Sequence, residues 1–286
     1  MSNIGLLLQC GGNGERFIPI EIPKPIFPLS WEKETCLENI LESTPYAVPI
    51  FMHIQAEQKE KYDEFIKEHD IKKDIFYIYQ EERAVYDIKG EALVENGKVL
   101  KSANGPGSFR YGLKELNEKR EHRIEYFAVY DGCKTGICWD DVENGAESLI
   151  ADDKGVFCYV RKLSNGQIEK EKINRRYDIV LNGSVYDKRY SPSGIFENPE
   201  AKAVTGLSIF NYRKFIENTQ NLEGEMKTYQ LNKQPAYYYD FRITHLINSF
   251  DVSDRIFADH PEEHYYPSMK LPSDFEKYWK FKERRK

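Results

Sequence analysis

The sequence contains no apolar run approaching the roughly 18 residues that a membrane-spanning helix needs, so a soluble chain without a membrane partner is expected. Positive charge is also short. Lys and Arg number 41 against 47 Asp and Glu, a formal charge of −6, which argues against a general nucleic-acid binder because phosphate neutralisation needs a basic excess. The five cysteines (Cys10, Cys36, Cys133, Cys138, Cys158) are odd in number and lack the paired spacing of a disulfide frame or zinc knuckle. They point to a reducing, cytoplasmic compartment, and Cys133 and Cys138 read as ordinary thiols. The opening Ile4-Gly5-Leu6-Leu7-Leu8 is too short, and lacks the basic flank, for a signal peptide; it reads as a buried strand. Internal repeats and Gly/Ser linkers are missing too, so a single mixed domain is expected over 1–250, with a 251–286 extension packing on it or on a partner.

What is present is an alternation of strand-like and helix-like segments, the pattern of an α/β fold with a parallel sheet. Strands are predicted at 4–9, 49–54, 74–79, 124–130, 156–163, 177–186 and 203–210. Helices are predicted at 56–68, 108–119, 212–219, 238–250 and 273–284, from apolar residues at helical spacing such as Phe109, Leu113 and Leu116. Residues 84–103 break the alternation and read as a β-ribbon, with Asn96-Gly97 supplying its turn.

The chemistry is concentrated early. A buried strand ending at Gln9 delivers the chain to Gly11-Gly12-Asn13-Gly14, where missing side chains let backbone N–H groups converge on an anion. Arg16, a planar fork, and Lys24, a mobile point charge held between Pro23 and Pro25, add cations suited to phosphate oxygens. The segment lacks the Gly-Lys-Ser/Thr ending of a P-loop and the glycine spacing of a dinucleotide fingerprint.

Gly11-Gly12-Asn13-Gly14-Glu15-Arg16, followed by Pro23-Lys24-Pro25-Ile26-Phe27-Pro28-Leu29, resembles the signature of the sugar-1-phosphate nucleotidyltransferases. The strand ending at Gln80, the ribbon, and Gly105-Pro106-Gly107-Ser108 are similar to the layout of the UDP-sugar pyrophosphorylases, notably the UDP-N-acetylglucosamine type. The resemblance implies a Rossmann-like, three-layer α/β/α mixed sheet with a β-ribbon insertion. It also implies a reaction in which UTP and N-acetylglucosamine-1-phosphate give UDP-sugar and pyrophosphate.

The resemblance carries roles with it. Arg16 and Lys24 would be catalytic, and Gln9, Gly11, Gly12, Asn13, Gly14, Gln80, Gly107 and Ser108 would bind nucleotide, Gln80 and Gly107 at the base. Asp131, before Gly132, would hold Mg²⁺, although an Asp-Gly pair is equally an ordinary turn. Phe196-Glu197-Asn198-Pro199 and Ala203-Val204-Thr205-Gly206-Leu207 resemble the family's sugar-binding segments, which assigns the sugar to Glu197, Val204 and Thr205. Asn198 stands where the family has a phosphate-binding Lys, and Asn211 where a second metal-binding Asp is common. Two other readings fit these residues: a nucleotide-sugar-dependent glycosyltransferase using Asp131 or the Asp140/Asp141 pair, and a catalytically silent nucleotide- or sugar-binding homologue.

Overall fold

The computed structural model describes residues 3–11, 22–29, 34–95, 97–103, 105–121, 123–163, 178–187, 194–222, 225–231, 234–240, 242–269 and 274–283. In chain order, β1 (Ile4–Gln9), α1 (Cys36–Ser43), β2 (Ile50–Ile54), α2 (Lys59–Glu68) and β3 (Ile75–Tyr79) form the first half of a doubly wound sheet. The ribbon follows: β4 (Glu82–Ala84), β5 (Val94–Glu95), β6 (Lys98–Val99) and β7 (Lys101–Ala103). Next come α3 (Phe109–Glu118), β8 (Tyr126–Asp131), α4 (Trp139–Ala151), β9 (Val156–Lys162), β10 (Ile179–Leu181), β11 (Ser184–Tyr186), β12 (Lys202–Asn211) and α5 (Tyr212–Thr219). The chain closes with β13 (Glu225–Leu231), β14 (Gln234–Asp240), α6 (Ile243–Asn248), β15 (Arg255–Asp259) and α7 (Asp274–Glu283).

Strands β3, β2, β1 and β8 lie side by side and parallel. β12 then runs antiparallel to β8, β9 antiparallel to β12, and β15 parallel to β9. β10 pairs with β12 beside the end of β8, and β11 follows it. The sheet is therefore mixed, as expected, and both faces are covered. Leu6, Leu8, Met52, Ala128 and Tyr159 pack against α1, α2 and α4 on one face; Leu7, Phe51, Phe127, Val129 and Phe210 pack against α3, α5 and α6 on the other. That arrangement explains why β1 reads as an uninterrupted apolar run: a strand buried on both sides has no solvent face to mark with polar residues.

The ribbon forms where expected. Val94 pairs with Val99 and Glu95 with Lys98, while Asn96 of the predicted turn lies outside the described residues. Tyr86 exchanges two 2.8 Å backbone hydrogen bonds with Tyr237, joining this ribbon to the β13–β14 hairpin.

Several boundaries differ from the sequence reading. The single strand predicted at 177–186 is a hairpin, turned by Asn182 and Gly183 at φ 51° and 74°. The helix predicted at 238–250 starts only at Ile243, because the preceding aromatic run, favourable to extended backbone, completes β14. Helix α1 went unpredicted although Thr35 accepts a hydrogen bond from the Glu38 N–H at 3.1 Å, and α4 went unpredicted although Val142, Ala146 and Leu149 recur at helical spacing. The segment after 251 adds β15 to the main sheet, and residues 266–269 run on to the loop after β8, where Met269 N–H donates to Cys133 at 2.8 Å.

Candidate active site

The chain steps from β1 to β2 to β3 in one direction, then returns to place β8 on the other side of β1. Strand order reverses between β1 and β8, and in open α/β sheets ligands bind in the crevice outside the carboxyl ends of the strands at such a point. The parallel register sets Gln9 level with His53 on one side and Asp131 on the other. Three polar side chains thus stand in a row where the loops leave the sheet.

The loops are locked to one another. Gly132 N–H donates to the Gln9 carbonyl at 3.1 Å, and a Cβ on Gly132 would lie 2.6 Å from Cys10 Sγ and 3.0 Å from that carbonyl, so the loop after β8 approaches β1 as closely as only glycine permits. Gln9 Nε2 donates to the Pro106 carbonyl at 3.0 Å, tying β1 to the short 3-10 turn of Pro106–Ser108. Gln80 continues β3, its N–H bonded to the Ile54 carbonyl at 2.8 Å, and its amide lies on Gly11: a Cβ there would sit 2.5 Å from Nε2.

Asp131 is held from two sides. Its Oδ1 accepts from the Cys133 N–H at 3.0 Å and its Oδ2 from the Ser268 hydroxyl at 3.0 Å. Next to it, Lys134 is 3% exposed; its Nζ donates to the Tyr266 carbonyl at 2.9 Å and lies 4.2 Å from the centre of the Tyr265 ring. Gly206, at φ +93°, leaves space for the lysine stem within a β12 irregularity between Val204 and Ser208. A hollow of about 160 Å³ opens beside Asp131, lined by Gln9, Pro106, Asp178, Val204 and Arg242 among others. Neither Asp178 nor Arg242 carried a sequence signal; the topology alone brings them to this place.

His53 has its own logic. Ser108 Oγ donates to the Gly105 carbonyl at 2.9 Å, so the 3.2 Å contact between Ser108 Oγ and His53 Nε2 places the imidazole proton on Nε2. Nδ1 is then a bare acceptor, buried and without a hydrogen-bond partner in the described structure. Burial pushes the pKa down to about 3, because protonation would put an unpaired charge in an apolar site. An unfolded chain, with its histidine at the ordinary 6.5, takes up the proton that the folded chain refuses. His53 therefore contributes fully to stability above that value, and its contribution is lost progressively as pH falls from there toward 3. Across the window the expected slope is up to about 1.4 kcal/mol per pH unit. Urea unfolding at several acidic pH values should show a shallower slope for His53→Gln than for the parent; equal slopes would absolve His53.

No protein-family model matches the chain, and no curated protein matches it. Solved structures do. A UDP-N-acetylglucosamine pyrophosphorylase of Trypanosoma brucei, in complex with inhibitor, superposes with TM-score 0.75 at 12% identity over 97% of this chain and 65% of that one. A variant UDP-glucose pyrophosphorylase of Leishmania major gives 0.73 at 12% over 96% and 64%. A Bacillus anthracis protein described as a glucose-1-phosphate thymidylyltransferase gives 0.63 at 12% over 96% and 93%. The chain shares the fold of these three structures. It spans just under two thirds of the length of the two trypanosomatid proteins.

Within this fold the sequence-predicted residues separate into groups. Gln9, Gly11, Gln80, Gly107, Ser108, Asp131 and Val204 lie at or next to the crevice described above. Lys24 lies in a short 3-10 turn (Lys24–Ile26) whose Pro25 and Ile26 are buried. Gly12, Asn13, Gly14 and Arg16 lie outside the described residues, as does Glu15. Glu197 lines a different hollow, of about 280 Å³, with Phe196, Asn198 and Leu163. Thr205 is buried, and its hydroxyl donates to the Tyr159 carbonyl at 3.1 Å.

Asn211 lies away from the crevice. It pairs with Tyr126, at the opposite end of β8 from Asp131, and its side chain caps α5 by accepting from the Lys214 N–H at 3.1 Å. Lys202, four residues after Asn198, pairs with Asp259 at 2.7 Å. Among the described helices none is long and apolar enough to cross a membrane.

Proposed function

We propose that the chain is a sugar-1-phosphate nucleotidyltransferase of the UDP-sugar pyrophosphorylase type. In this reading the sugar-phosphate oxygen attacks the α-phosphorus of UTP in line and pyrophosphate leaves. The reaction asks little covalent chemistry of the protein; positioning and neutralisation of charge do most of the work. The observation that carries the reading is the parallel alignment of Gln9 with Asp131 at the strand-order reversal, with Gln80 seated on the first glycine of the loop.

The glycine turn and Arg16 would receive the triphosphate, and Lys24 would neutralise the reacting phosphates. Gln80, which offers both a donor and an acceptor, suits the imide edge of uracil. The two carboxylates lining the hollow, Asp131 and Asp178, fit Mg²⁺, a hard cation that takes oxygen ligands. Bound there, it would supply charge neutralisation for the phosphates. Arg242, in the same hollow and 3.7 Å from Asp187, is a cation that could stand in for the family lysine replaced by Asn198. N-acetylglucosamine-1-phosphate is the preferred acceptor, from the likeness of the ribbon and Gln80 layout.

The deciding experiment incubates the protein with each NTP, Mg²⁺ and a panel of sugar phosphates and follows pyrophosphate. UDP-sugar formation supports the reading. Transfer only from a preformed nucleotide sugar indicates a glycosyltransferase, and binding without turnover a silent homologue. Gly11→Ala gives a finer check. Its added methyl meets the far end of the flexible Gln80 side chain, so folding should be unaffected. UTP affinity by calorimetry should fall roughly tenfold, about the worth of one good hydrogen bond. An unchanged affinity would detach Gln80 from the base.

A further inference from the structure

Beyond the crevice, the first turn of α4 and the segment after β15 bring together residues that the proposed reaction does not use. Cys138 precedes α4 and Asp141 lies in its first turn, three residues on, so their side chains share one side of the helix end. His260 directly follows β15, fixed by its N–H to the Val160 carbonyl at 2.8 Å. His264 ends a short 3-10 turn (Glu262–His264) closed onto Pro261. All four backbone positions are thus set by regular structure.

The Asp141 side chain is 3% exposed, and its two oxygens have different partners: Oδ1 lies 2.9 Å from His264 Nδ1 and Oδ2 lies 3.0 Å from His260 Nε2. Cys138 Sγ, an Asp141 oxygen and a His264 nitrogen all fall within 4.8 Å of one another. Ligand atoms around a tetrahedral zinc, bonded at about 2.0 Å to N or O and about 2.3 Å to S, lie roughly 3.3–3.8 Å apart, so small side-chain rotations close the set around one ion.

We propose that Cys138, Asp141 and His264 bind a zinc ion, with His260 orienting the Asp141 carboxylate from outside the coordination sphere. Three protein ligands leave the fourth position to water, toward the side from which His264, 36% exposed, reaches solvent. A thiolate, an imidazole and one carboxylate select a borderline-soft ion such as zinc over magnesium, so this centre is chemically separate from the carboxylates beside Gln9. The hydrogen bond from His260 is the kind of outer support that ligating carboxylates carry, and burial of His260 beside the Tyr159 ring, 4.7 Å between centres, keeps it in place.

The ion would clasp the strand-β15 segment to α4. Two residues past His264, Tyr266 supplies the carbonyl that holds Lys134, and Ser268 supplies the hydroxyl that holds Asp131. Occupancy of the clasp therefore stabilises one wall of the crevice.

The test uses the full chain purified without a histidine tag. Elemental analysis should find one zinc per chain, and replacement by Co²⁺ should give a thiolate-to-metal charge-transfer band in the near ultraviolet. Cys138→Ser, which preserves shape, should lose that band and weaken zinc binding, measured by competition with a chromophoric chelator, by more than about a hundredfold; His264→Ala should do the same, and His260→Ala should cost about tenfold or more. Parent protein that shows no thiolate-to-cobalt band, or binds zinc no tighter than about micromolar, overturns the proposal whatever the variants do. Unchanged zinc affinity in a folded Cys138→Ser protein overturns it as well.

Discussion

Asp131→Asn is expected to slow pyrophosphate release by about a hundredfold or more while moving the melting temperature by no more than a few degrees. The two halves of that expectation come from different atoms. Asn keeps the shape of Asp, and its carbonyl oxygen can still accept from the Cys133 N–H, now 3.0 Å from Oδ1. Its amide nitrogen can donate to Ser268 Oγ, a hydroxyl able to reverse its role from donor to acceptor. The loop after β8 therefore keeps both anchors. What disappears is the negative charge, the property for which a divalent cation and its phosphates would select this position. A hundredfold is about 2.7 kcal/mol of transition-state stabilisation, within the range of one preorganised electrostatic group. Turnover close to the parent's, in a protein that melts normally, would return Asp131 to the ordinary Asp-Gly turn that its sequence equally allows.

The contrast between Asp131 and Asp178 marks what the sequence could reveal. Asp131 follows an apolar strand and precedes a glycine, a local pattern that one pass along the chain can find. Asp178 and Arg242 stand in featureless surroundings and acquire meaning only when β12 runs back past β8 and opens a hollow between them. His53 is hidden for the same reason: within β2 it reads as one polar residue in an apolar strand, and its neighbour Ser108 comes from the far side of the ribbon. Sequence order misleads at Asn211, since the step from Asp131 to Asn211 says nothing of the antiparallel return that puts them at opposite ends of β8.

Strands were legible where burial on both faces left an unbroken apolar run, as in β1. The pairing of β5 with β6 was legible from the polar segment between them, whereas the turn at Asn182-Gly183 was overlooked because apolar residues flank it. The clasp residues escaped because Cys138 and Asp141 have a single-turn spacing, while their histidine partners lie more than a hundred residues away in a segment read as an extension.

Phe127→Ala should destabilise the chain by about 3–5 kcal/mol, the range for removing a buried aromatic ring, and lower the melting temperature by roughly 5–8 °C. The ring is fully buried and central to the helix-covered face. It stacks on Phe210 at 5.2 Å and meets Phe215 edge-on at 5.0 Å and Phe109 edge-on at 6.2 Å, so its loss strips β12, α5 and α3 of a shared neighbour at once. Side chains alternate along a strand, which puts Phe127, Val129 and Asp131 on one face of β8. The aromatic cluster is therefore the foundation on which the Asp131 side chain stands, four residues along. Removing the ring should nonetheless leave activity per folded molecule nearly intact at low temperature, because the hydrogen bonds that aim Asp131 come from Cys133 and Ser268, neither of them in the cluster. Activity and denaturation measured on the same samples separate the cases: a loss that tracks the unfolded fraction assigns Phe127 to the fold, whereas a loss in fully folded protein would mean that the core sets the position of the carboxylate directly.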